Sequence, residues 1–138
     1  MAKIIGTSFG VALILFGVGG LALPNLFGAY CNPFHDLLFM LAGAAVSWAA
    51  QKTGPAAFVW SMSLAGVVFF LLGLVGFIWG RPGTSSWADR PPNEKLLVLL
   101  PSWLELGWND HVLNLLFGIG FFVAVVAALA ETPPRLRK

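Results

Sequence analysis

The residues best suited to chemistry are His35, Asp36, Asp110 and His111. Two imidazoles and two carboxylates form a donor set for zinc or another divalent ion that prefers nitrogen and oxygen ligands, and Glu105 or Cys31 could complete the shell. Spacing works against a full four-ligand site. Each pair is adjacent in sequence, so on a helix its side chains diverge by about 100° and at most one of each pair is expected to face a common centre. No HxxxH or HExxH pattern is present. Haem is a narrower version of the same idea, since both histidines would have to face across one plane. The plainer chemistry is structural: Asn32-Pro33 and Asn109-Asp110 read as helix starts, with Asn as cap, Pro in the first turn and a carboxylate near the positive helix end.

The pairs lie in two stretches that read alike. His35 to Gly43 and Asp110 to Gly118 each start with a His/Asp pair, in opposite order, and run directly into apolar sequence at an offset of 75 residues. Gly17-x-x-Gly20 repeats as Gly73-x-x-Gly76 at an offset of 56. The chain therefore reads as two copies of one helical hairpin, the second with a longer connection, in parallel orientation about an axis along the membrane normal. Small residues recur along the runs (Gly17, Gly20, Gly43, Gly73, Gly76, Gly118), and between lipid-embedded helices they let backbones approach closely.

The elements carrying these motifs are membrane spans. Of 138 residues, 58% are hydrophobic and 10% charged, against about a quarter charged in a soluble domain. Four apolar runs, Ile4 to Leu23, Phe34 to Ala50, Ala56 to Gly80 and His111 to Leu129, approach the roughly 20 helical residues that cross a hydrocarbon core. The net charge of +2 comes from ends and loops, so there is no basic stripe for nucleic acid. Cys31 is the only cysteine, which excludes an intrachain disulfide and a thiolate cluster; Tyr30 before it does not fit a lipoprotein site. The first run is too long for a signal h-region and is read as a retained span. Lys3, Lys52, Arg135, Arg137 and Lys138 fall on one side and Arg81, Arg90 and Lys95 on the other, which places both termini inside and both His/Asp pairs outside.

The connection from Arg81 to Trp108 starts with turn formers and then turns apolar at Leu96 to Leu104. That run is too short to span and contains Pro101, so an interfacial or partly re-entrant segment is expected, with Trp87, Trp103 and Trp108 in the headgroup zone. Asn114, one turn after Asp110, should point into the bundle and find a partner there. Beyond it the helix is Gly, Ala, Val, Ile, Leu and Phe, which supports no polar path for ions or protons. Ser8, Ser47, Ser61 and Ser63 have no His or acid at a related spacing, and no phosphate loop is present, so no enzyme template fits.

The run Leu96 to Leu100 followed by Asp110 to Gly118, with Leu72 to Phe77 before it, resembles the bacterial four-helix membrane proteins catalogued as domain of unknown function 4383. The resemblance implies a four-helix fold in the inner membrane and lends no activity. That family carries a His-Asn-x-x-His-Leu-x-x-Gly motif at one helix start and a similar Asp-Asn-x-x-His motif at another; where its second histidine falls, this chain has Phe39 and Asn114. The expected fold is all-α and polytopic: repeat one at 4–51, repeat two at 56–130, and a basic tail at 131–138. The expected role is that of a non-enzymatic accessory subunit in a larger membrane complex or homo-oligomer. Metal or cofactor binding at the His/Asp cluster is the alternative, and solute passage between the hairpins the second.

Overall fold

The computed structural model describes residues 1–23, 25–87 and 90–131. Helix α1 (Ala2–Ala22) packs antiparallel on α2 (Pro33–Lys52), and α3 (Pro55–Trp79) on α4 (Trp108–Glu131). All four are long and apolar enough to cross a membrane. Proline occupies the first helical position of both α2 and α3, where its missing N–H costs nothing. The expected spans thus hold to within a few residues. Arg135, Arg137 and Lys138 of the tail lie outside the described residues.

Glycine sets the closeness of each pair. A Cβ on Gly43 would lie 2.5 Å from the Gly10 carbonyl oxygen, and one on Gly118 would lie 2.6 Å from the Phe70 amide nitrogen. Gly17 meets the Asp36 carbonyl at 2.5 Å and Gly73 meets the His111 carbonyl at 2.6 Å in the same sense. Gly20 lies against the Asp36 carboxylate and Gly76 against the His111 ring. No larger residue fits these contacts, which is how helices pack when lipid removes the hydrophobic drive between them. Across the centre, Phe39, Phe69 and Phe117 meet at ring separations of 5.6 to 6.1 Å, and Phe121 joins at 5.8 Å from Phe69. Contact between α1 and α4 completes the bundle, while α2 and α3 touch only sparsely.

Among the described residues, the connection between α3 and α4 holds no helix. It forms a three-stranded antiparallel sheet of β1 (Arg81–Gly83), β2 (Asn93–Leu100) and β3 (Leu104–Leu106), in that order. The chain is mostly helical as expected, with this small sheet besides, and the Leu96–Leu104 run is a hairpin arm and its turn. Pro101 stops any helix from running on, and as a strand the segment pairs its peptide groups with both neighbours, Arg81 opposite Leu96 and Leu97 opposite Leu106. Ser102, at φ 63°, makes the turn. Lys95 Nζ donates to the Phe77 carbonyl at 3.0 Å and so pins β2 to the end of α3.

At the opposite end the N-terminal ammonium meets Glu131 at 2.8 Å, and Lys3 Nζ donates to the Thr53 carbonyl at 3.2 Å. Lys3 and Lys52 therefore share an end, and Arg81, Arg90 and Lys95 lie with the sheet. Gly43→Val and Gly118→Val are each expected to lower thermal stability in detergent by about 2 kcal/mol or more, because backbone has to move. Gly54→Ala, where nothing lies within 4 Å, should stay within about 0.5 kcal/mol of the parent in the same melt.

Candidate functional site

The starts of α2 and α4 both lie at the sheet end, and each is built by local capping. Asn32 Oδ1 accepts the His35 N–H at 2.9 Å, which fixes the first turn of α2 and seats His35 and Asp36 inside the bundle. At α4, Asp110 Oδ2 accepts the Gly107 N–H at 2.7 Å, the acidic half of a capping box. The same oxygen accepts the Tyr30 N–H at 2.9 Å from the other hairpin's linker. Asn109 has a different task from the expected cap. Helix α4 begins one residue earlier, at Trp108, and Asn109 Nδ2 donates instead to the Phe27 carbonyl at 2.9 Å, against Gly28 at φ 74°.

Three of the four expected ligands come together. His35 Nδ1 lies 3.3 Å from Asp36 Oδ1, and His35 Nε2 lies 3.8 Å from Asp110 Oδ1. All three side chains are at most 1% exposed. If the Nδ1 proton is directed at Asp36, Nε2 is a bare acceptor facing a second acceptor, so that gap calls for a donor or a cation. Among the described residues, Asp36 Oδ2, Asp110 Oδ1 and His35 Nε2 have no hydrogen-bond partner. Buried acceptors left this way cost free energy until something satisfies them.

His111 goes elsewhere. Its Nε2 contacts the Lys95 carbonyl oxygen at 2.6 Å, its ring rests on Gly76, and Phe77 lies 5.5 Å away edge-on. Adjacent positions on α4 point Asp110 to the centre and His111 to α3. On α2 the adjacent pair stays in contact, because Asp36 turns towards Gly20 and the His35 ring can still reach it.

Cys31 replaces His111 as the fourth group. One ligand atom each from Cys31, His35 and Asp36 lies within 4.8 Å of the others. Burial, followed by the nearby Asp36 and Asp110, pushes the Cys31 thiol up to about 12. Burial also raises the Tyr30 phenol, whose hydroxyl donates to the Pro91 carbonyl. Arg90 donates to the Cys31 carbonyl and lies over the Tyr30 ring at 4.9 Å. Below it a cavity of 220 Å³ reaches Cys31, Asn32 and Asp36.

Glu105 completes no shell. Its carboxylate is occupied by the Ser85 hydroxyl, the Ser86 N–H at 2.9 Å and the Ser102 N–H at 3.0 Å. Burial alone would raise it, but these donors outweigh burial and hold it at about 2. Asn114 is buried as expected but neither amide atom has a hydrogen-bond partner among the described residues; apart from His35, the cavity it lines is aromatic and aliphatic. Tyr30 and Arg90 escaped the sequence reading; the available signal was their closeness to Asn32 and to the Pro91-Pro92 turn.

Comparison with models of known families, with curated proteins and with solved structures found no match. A group whose acidity is strengthened on folding stabilises above its unfolded value and loses that contribution as pH falls through its folded value. For Glu105 the window runs from about 4.5 down to about 2. Proteolysis of the 81–107 connection should accelerate across that window, and Glu105→Gln should show the fast rate already at neutral pH. A variant as resistant as the parent would remove Glu105 as the clasp.

Proposed function

We propose that this chain is a non-enzymatic integral membrane protein, made of two copies of one helical hairpin, that binds a divalent cation at its sheet end, outside the membrane. The observation that carries the cation is the convergence of Cys31, His35 and Asp36 beside Asp110, with Asp36 Oδ2 and Asp110 Oδ1 unpartnered and buried. Two carboxylates with one imidazole, and among the described residues no Lys or Arg bonded to either, leave negative charge in a poor solvent that Arg90 across the same cavity offsets only in part, and a cation offsets the rest. Sulfur, nitrogen and oxygen donors together suit zinc, and a bound ion would also make the thiolate favourable in spite of burial. The matched placement of Gly17 with Gly73, and of Gly20 with Gly76, supports the duplication.

The accessory role draws less support, since the glycines that would meet a partner are already filled by the chain's own backbone. Association would have to use the Leu- and Trp-bearing outer faces. Passage draws less still, because Phe39, Phe69 and Phe117 close the centre beneath Asn114. Elemental analysis after zinc loading and dialysis tests the cation. We expect about one ion per chain in the parent and in His111→Ala, and loss in Cys31→Ser and His35→Ala. Equal metal content in all four proteins, or none in the parent, would sink the proposal.

A further inference from the structure

Helices α2 and α3 are joined by a tight turn yet leave a seam between them. A cavity of 220 Å³ opens at its sheet end, and a second of 390 Å³ continues it towards the turn; Ala42, Val68 and Phe69 line both. The walls are almost wholly apolar, and two polar side chains line the first cavity. They are His35 and Asn114, each 1% exposed, with His35 Nε2 and both Asn114 amide atoms unpartnered. Unsatisfied groups at the closed end of a hydrocarbon-facing groove are costly. An apolar channel with a few convergent polar groups at one end is the ordinary form of a small-molecule site.

We infer that this seam binds a neutral single-chain amphiphile drawn from the bilayer, whose hydroxyl or carbonyl oxygen hydrogen-bonds Asn114, a hydroxyl head also donating to His35 Nε2. Its chain lies between α2 and α3 along Ala42, Ala45 and Ala49, where small side chains keep the slot open over about 10 Å of helix. The head is neutral because Leu104, Leu106 and Leu72 roof it and no Lys or Arg lines either cavity, so phosphate would be buried without a counter-charge. Asp110, 3.8 Å from His35 Nε2, likewise disfavours a carboxylate head. Asn114 offers a donor to a carbonyl and an acceptor to a hydroxyl. This site shares His35 with the cation reading, because Nε2 also faces Asp110 Oδ1; Asn114 belongs to this site alone, so its variant tells the two apart.

The test uses the full chain in phosphatidylcholine nanodiscs, titrated with decyl-benzoquinone, dodecanol and headless dodecane, with affinity read from the rise in melting temperature. Saturable binding of the quinone or the alcohol, but not of dodecane, is expected, and whichever binds tighter identifies the head as carbonyl or hydroxyl. Asn114→Leu should weaken that binding about tenfold, the loss of one buried hydrogen bond. Ala42→Phe, which fills the slot and leaves the head contacts intact, should do the same and serves if the first variant fails to fold. Both variants should retain parental metal content, so failure here leaves the cation site standing. Equal binding of dodecane, parental affinity in a folded variant, no saturable binding at all, or a copurifying protein occupying the seam would each overturn the inference.

Discussion

One carboxylate oxygen holds the two hairpins together at the sheet end. Asp110 Oδ2 accepts the Gly107 N–H, which starts α4, and the Tyr30 N–H, which belongs to the linker before α2. Its second oxygen faces His35. Within each hairpin, close glycine contacts set the spacing of the helices. Between hairpins the aromatic centre supplies contact but little direction, so register at this end falls to Asp110, helped by Asn109 on the Phe27 carbonyl and Arg90 on the Cys31 carbonyl. The sheet rests on the same arrangement, with β2 reaching α3 through Lys95 and α4 through the carbonyl that meets His111.

This arrangement explains why the polar cluster lies where it does. In lipid a buried carboxylate is expensive, and it is tolerated near a helix start, where backbone N–H groups and the helix dipole favour negative charge. Asp36 lies at the corresponding depth on α2 but turns onto Gly20, as His111 turns onto Gly76. The first member of each pair, His35 or Asp110, faces the centre; the second is held by its own hairpin. That division leaves His35 between two carboxylates, with one nitrogen towards each.

Much of the fold was legible because span length and glycine spacing are written in single residues. The caps at Asn32 and Asp110 were legible for the same reason. The sheet was not, since Leu96 to Leu100 carries neither alternation nor β-branched bias, and its strand character comes from pairing with Arg81 and Leu106. The cluster was half legible. Adjacency on a helix separates Asp110 from His111, and Cys31 lies only four residues before His35, but nothing in the sequence brings Asp110 to His35 or sends Glu105 to Ser85 and Ser86. Those contacts depend on how two linkers cross, and linker crossings carry no periodic signal. The partnerless state of Asn114 is a property of its neighbours rather than of its own position.

A double-mutant cycle between His35 and Asp110, read by thermal unfolding in detergent with His35→Gln, Asp110→Asn and the pair, tests the coupling of the hairpins most directly. Residues in contact within one polar network couple by about 0.5–3 kcal/mol, and a value in that range is the expected result. Additive losses, with the double variant equal to the sum of the single ones, would mean that the two hairpins meet at this end without His35 and Asp110 acting on each other.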